Sequence, residues 1–327
     1  MEEGFRIWAN PSSPHAEGRK AKAALEDARA RVKAALGWEG EVIFTSGASE
    51  ALAIGLGRAK AERRLASAIE HDAVFRAAPD AEVLPVIGGG IDPDALAAAL
   101  TQSARAVVAV QQVNPETGTL VLAEGRDALG DQVREAGGLL LSDCSQSAGK
   151  LALPDADMAV VSAHKLGGPV GAGALLVRDF AVLEPVGGHE RGYRAGTENL
   201  PAILGFAAAL EAGPEGWATT EKQRQAFAAA LGDERVTPGA VQSAHILALT
   251  HPTISAQALL IRLDAMGFAV SAGSACSSGT LKKSRVLEAF GVDDQTAART
   301  IRVSLGWSTT PAELDRFAEA WAELSSR

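Results

Sequence analysis

Four short segments carry residue types whose spacing suggests chemistry. The first is Ser162-Ala163-His164-Lys165-Leu166-Gly167-Gly168-Pro169, which follows the apolar run Ala159 to Val161. A lysine at a strand end, beside His and Ser and ahead of a glycine-rich turn, can form a Schiff base with an aldehyde cofactor, whereas an ordinary lysine is a solvated surface charge. The second is Ser142-Asp143-Cys144-Ser145-Gln146, directly after the apolar run Gly138 to Leu141. Ligands of open α/β sheets gather beyond the carboxyl ends of strands. There Asp143 can keep a pyridine nitrogen protonated and its ring an electron sink, or simply cap a helix.

The third segment, Phe44-Thr45-Ser46-Gly47-Ala48-Ser49-Glu50, reads as strand, small-residue turn and helix start. Free N–H groups at such a start, with the Ser49 hydroxyl, make a seat for a phosphate; tight packing would use the same residues. The fourth is Val270-Ser271-Ala272-Gly273-Ser274-Ala275-Cys276-Ser277-Ser278-Gly279, where a cysteine lies among small residues with little apolar area to bury. An exposed free thiol is a poor packing element, so Cys276 reads as a nucleophile on a mobile loop of about residues 270–282. Cys144 reads as a small packed residue, and His245 and His251 receive no role.

Elements must position these residues, and their pattern is legible. Apolar runs at Glu41 to Phe44, Leu65 to Ile69, Glu82 to Val86, Ala106 to Val110, Leu139 to Leu141, Met158 to Val161 and Gly173 to Val177 alternate with alanine-rich helical stretches. That rhythm predicts an α/β fold with a mostly parallel central sheet flanked by helices. Ser13 and Pro14 predict the start of a helix that runs to Gly37, and Thr310-Pro311 with Glu313 predicts a capped C-terminal helix. Between Gly213 and Gly239 the chain turns polar and Gln/Arg-rich. This predicts a large domain over 10–212 and a smaller C-terminal α+β domain over 213–327, joined by 1–9 and carrying the cysteine loop.

Composition narrows the classes. With 327 residues, 47% of them hydrophobic, the chain can bury a large core. A net charge of −9 argues against direct nucleic-acid binding. Two cysteines supply neither a disulfide framework nor a zinc quartet, and no apolar run is long enough for a membrane span. A cytoplasmic location and no metal are expected.

Taken together and in this order, the four segments resemble the NifS/IscS-type cysteine desulfurases of the class V pyridoxal-phosphate-dependent aminotransferase family. The resemblance extends through Asn10-Pro11-Ser12-Ser13-Pro14-His15, Glu70-His71-Asp72-Ala73-Val74, Glu116-Thr117-Gly118-Thr119, Gly188-His189-Glu190-Arg191-Gly192, Arg194-Ala195-Gly196-Thr197-Glu198-Asn199 and Ile301-Arg302-Val303-Ser304-Leu305-Gly306. It implies a fold type I enzyme with pyridoxal 5'-phosphate on Lys165, Asp143 at the pyridine nitrogen, His71 stacked on the ring and Gln146 at its hydroxyl. Ser49, Ser162 and His164 would hold the phosphate, with Thr197 reaching in from the second subunit of a homodimer. Arg302 would bind the carboxylate of L-cysteine. Asn114 stands one place before a family substrate contact, whose own position is Pro115.

The implied reaction converts L-cysteine to L-alanine with transfer of sulfur to Cys276 as a persulfide, then to an acceptor protein. Lys165 would take the α-proton and His71 would manage the thiol proton. Two other readings stay open at this level: another pyridoxal-phosphate lyase, of the selenocysteine lyase kind, and a cofactor-binding but catalytically impaired interaction protein. Iron–sulfur cluster assembly, tRNA thiolation and cofactor synthesis are equally open as destinations of the sulfur.

Overall fold

A computed structural model describes residues 1–122, 128–272 and 284–325. The expected apolar runs appear as strands β1 (Glu41–Thr45), β2 (Arg63–Ser67) and β3 (Glu82–Leu84) and, after a short hairpin that was not expected, β4 (Val86–Ile87) and β5 (Gly90–Ile91), as β6 (Ala106–Gln111), β7 (Leu139–Asp143), β8 (Met158–Ser162) and β9 (Gly173–Val177). A seven-stranded sheet has the order β1-β9-β8-β7-β6-β2-β3. β8, β7, β6, β2 and β3 pair in parallel, and β9 alone runs against both its neighbours.

Helices cover both faces: α1 (Glu2–Arg6), α2 (Ala16–Leu36), α3 (Ala48–Gly57), α4 (Asp72–Ala77), α5 (Pro93–Leu100), α6 (Ala128–Glu135) and α7 (Leu200–Ala212). Side chains alternate across a strand, so Val42 and Phe44 face one core with Leu25 and Val32 of α2 and Phe206 of α7, while Ile43 faces another with Leu52 and Leu56 of α3. β6, β7, β8 and β9 are buried along their whole length, as two-sided cover requires.

After α8 (Glu221–Ala230) comes a three-stranded antiparallel sheet, β10-β12-β11, from β10 (Ile246–Thr250), β11 (Ser271–Ala272) and β12 (Thr300–Ser304). α9 (Ala256–Ala265), α10 (Arg285–Ala289), α11 (Asp294–Ala297) and α12 (Pro311–Ser325) accompany it. Its core sets Leu247, Leu249, Ile301 and Val303 against Phe317 and Trp321. Among the described residues no helix is long and apolar enough to cross a membrane.

Helix ends follow the sequence, with one displacement. Thr310 and Glu313 exchange bonds as a capping box at 2.8 and 3.3 Å, and Gly37 closes α2 in the left-handed region at φ 61°. The cap of α2, however, is His15 rather than Ser13: its Nδ1 accepts Gly18 N–H at 3.1 Å. Ser13 lies in the preceding turn, its amide donating to Asn10 O, and the helix begins only at Ala16.

Candidate active site

Parallel neighbours bring the carboxyl ends of β6, β7 and β8 to one edge of the sheet, where ligands of such sheets bind. Register places Gln111 beside Asp143, and Asp143 beside Val160. Asp143 is the last residue of its strand, 9% exposed, and its Oδ1 accepts Ser145 N–H at 2.9 Å. One turn of 3-10 helix, Ala163–Lys165, follows β8 and projects Lys165 over that floor. Ser162 Oγ and His164 Nδ1 stand 3.0 Å apart beside it. Gly47 starts α3 without a side-chain cap, at φ 148°, and a methyl group there would stand 4.0 Å from Ser162 Oγ, so the helix start faces the same space.

The three-stranded sheet supplies the opposite wall. Arg302 of β12 donates to Pro115 O and to Ser271 Oγ, each at 3.1 Å. A cavity of about 370 Å³ results, lined by Ser49, His71, Asp143, Gln146, Ser162, His164, Lys165 and Arg302.

Two expected residues are not gathered there. Asn114 does not line the cavity: its Oδ1 accepts the amides of Glu116 and Thr117, both at 2.9 Å, and its Nδ2 donates to Ile69 O. The reason is local, because an Asn ahead of Pro115 satisfies a turn, and Pro115 takes the lining position instead. Thr197 is exposed on the loop before α7 and outside the cavity. Cys276 lies outside the described residues.

Gln111 lines the cavity without having been singled out. Its amide donates to Glu70 Oε1 at 2.9 Å and its Nε2 to Ile69 O at 2.5 Å. A signal existed: Gln111 is the polar residue that ends a largely apolar strand, as Asp143 and Ser162 end theirs. Glu50, also on the wall, accepts Ser46 N–H at 2.5 Å and Arg194 Nε–H at 2.9 Å, which ties α3 to the loop of Thr197. Burial acts to raise the Glu50 pKa, but these donors outweigh it and the carboxyl is held below its usual value.

Charge is tuned toward neutral bases. Burial lowers the Lys165 pKa, the Arg302 charge lowers it further and Asp143 partly opposes. Burial likewise lowers His71, with Asp143 and Asp72 opposing. His71 is the cap of α4, and its Nδ1 accepts Ala73 N–H at 3.1 Å, so a neutral ring carries its proton on Nε2. Cys144 is fully buried, and that burial pushes its thiol up to about 12. No group of His, Cys, Asp and Glu among the described residues is arranged to hold a metal.

Comparison with known proteins agrees with this architecture. The family model "Aminotransferase class-V" matches residues 5–317. A protein of Trichormus azollae named "Cysteine desulfurase" is 35% identical over 351 aligned residues, covering 98% of this chain and 86% of that protein. A solved structure described as "NIFS-LIKE PROTEIN" superimposes with a TM-score of 0.85 at 30% identity, covering all of this chain and 94% of the other. Another, "SspA in complex with cysteine", does so at 0.77 and 28% identity over 93% of each. A strand edge that gathers a lysine, an aspartate and an uncapped helix start is thus joined to a family match running almost end to end, and the chain belongs to the class-V aminotransferases.

Proposed function

We propose that this protein is a pyridoxal-phosphate-dependent cysteine desulfurase, a reading carried by the convergence of Lys165, Asp143, His71 and Arg302 on one cavity. The residues fit the cofactor. The buried Asp143 carboxylate suits a protonated pyridine nitrogen, the start of α3 with Ser49, Ser162 and His164 suits a phosphate, and the lowered Lys165 pKa suits an amine that reacts with an aldehyde. When bound, the cofactor supplies an electron-withdrawing ring that stabilises charge at the substrate α-carbon.

The chain's own residues do the rest. Arg302 offers a planar fork for the carboxylate of cysteine. Lys165, as a neutral amine, takes the α-proton. His71, neutral with its proton on Nε2, can donate that N–H as a hydrogen bond to the substrate sulfur and orient the thiol, whose own proton stays on the sulfur as it is transferred. Cys276 as thiolate attacks the substrate sulfur: an S–S bond forms as the C–S bond breaks, and the electron pair stays with the carbon skeleton. Proton uptake then gives alanine, and the persulfide passes to an acceptor protein. Relatives named cysteine desulfurase, and a neighbour solved with cysteine, support that substrate.

The reading includes a homodimer acting in the cytoplasm, with iron–sulfur cluster assembly as a consumer of the sulfur, and divides the chain into domains at Gly213. Thr197 is exposed and outside its own cavity, as a residue serving a partner's phosphate site would be. Phe5, Trp8 and Val170 are exposed apolar side chains (68%, 54% and 79%) of the kind a partner would cover. The function is tested by measuring alanine and sulfide formed from cysteine with a thiol reductant present. Wild type should produce both in step, and Cys276→Ala should produce neither while still binding the cofactor. A Cys276→Ala enzyme with wild-type turnover points instead to a lyase that forms no protein persulfide.

A further inference from the structure

The turn after Asp143 meets two basic groups that the proposed chemistry does not use, the half-buried Lys150 and the buried His245. Lys150 Nζ donates to the main-chain oxygen of Gln146 at 2.8 Å, and His245 Nε2 stands 2.9 Å from that same oxygen. A carbonyl oxygen has two lone pairs, and here each meets a donor. Neither side chain has a carboxylate ion-pair partner among the described residues; the charged groups facing them are Lys165 toward Lys150, and Lys150 and Arg224 toward His245. Burial pushes the Lys150 pKa down to about 7 and that of His245 down to about 3. The imidazole is therefore neutral with its proton on Nε2, and Lys150 donates whether charged or not.

His245 is 6% exposed and held on its other sides. The Trp217 ring meets it edge-on at 6.4 Å, with the Arg224 guanidinium 4.8 Å from the centre of that indole. Its own carbonyl accepts Leu305 N–H at 2.9 Å, three residues beyond Arg302. One oxygen of the cofactor-side turn is thereby linked to the strand that carries the substrate-side arginine.

From this geometry we infer that Lys150 and His245 are positioning residues. Their two donors fix the peptide that presents the Gln146 side chain to the cavity, and His245 sets that turn in register with β12. The inference rests on the function proposed above, in which Gln146 faces the cofactor ring. Rotation of the Gln146 peptide would break both bonds at once, so loss of either donor loosens the same contact.

The test compares Lys150→Met, His245→Leu and His245→Gln with wild type, stripped of cofactor and titrated with pyridoxal phosphate by tryptophan fluorescence. Lys150→Met keeps the stem and removes the donor; His245→Gln puts an amide donor near the place of Nε2. Lys150→Met and His245→Leu should each weaken cofactor binding about tenfold, the scale of one lost hydrogen bond. They should lower kcat for alanine by a similar factor, with the KM for cysteine of Lys150→Met within about twofold of wild type. His245→Gln should recover both to within about threefold.

A merely structural role predicts something else: lowered melting temperatures, including that of His245→Gln, with unchanged affinity and turnover per folded molecule. That pattern overturns the inference, as does wild-type behaviour in either donor-free variant, so one that fails to fold leaves the other to decide. Wild type that binds no pyridoxal phosphate or forms no alanine overturns the functional reading, and this inference falls with it.

Discussion

Two buried carboxyls near the cavity illustrate how position divides chemistry among like residues. Asp143 opens onto the cavity, while Glu70, one residue before His71, is fully buried and its Oε2 has no hydrogen-bond partner among the described residues. Burial raises the Glu70 pKa well above its ordinary value; the Gln111 amide opposes this and the Asp143 charge adds to it. A raised folded value means that the native state keeps a proton the unfolded chain has released. The stability contributed is complete below the unfolded carboxyl value and is lost as pH rises through the folded one. Glu70→Gln should therefore raise the melting temperature of the stripped protein at about pH 8 and change it little at about pH 4. An equal effect at both would show that Glu70 does not titrate in this way. Asp143, Lys165 and Ser162 were legible because each follows an apolar run. Lys150 and His245 were not, since their shared partner is a main-chain oxygen, and for His245 one that is distant in sequence.

Elements were legible where periodicity is strong and illegible where pairing decides. Each apolar run from Glu41 to Val177 became a strand, but nothing in Gly173-Ala174-Leu175-Leu176-Val177 states that β9 runs against its neighbours. A buried strand is apolar on both faces in either direction. Likewise Ser13 gave way to His15 as the cap of α2, because the turn upstream runs through the serine and the helix begins only at Ala16. The same helix carries a second feature that sequence hides. Arg29 of α2 forks onto Glu190 at 2.7 and 3.1 Å, and Glu190 also accepts Phe44 N–H at 2.8 Å. Side chains of both are nearly inaccessible, at 5% and 0%. Glu190 and Arg191 sit at φ 49° and 57°, a costly backbone that this pair holds in place. Arg29→Ala should destabilise the fold by about 3–5 kcal/mol, since it strands a buried carboxylate. Urea unfolding measures this, and a loss under about 1 kcal/mol would mean the pair is solvated.

At the scale of the molecule, the seven-stranded sheet and the turns after its strands supply Asp143 and Lys165 to the cavity, and the three-stranded sheet supplies Arg302. Exposed Thr197 and the exposed apolar side chains of Phe5, Trp8 and Val170 predict association. Sedimentation should give a dimer, weakened by Val170→Asp; an active monomer would reject it. β11 adds a consequence of its own. Ala272 is pinned by its pairing with Ile301, and Cys276 is four residues further along the chain. A fully stretched backbone advances at most about 3.6 Å per residue, so in the proposed reaction the four residues after Ala272 give the thiol at most about 14 Å of leash from that strand. On that reading the sulfur cannot be ferried to a distant client; the client has to come to the end of the strand and collect.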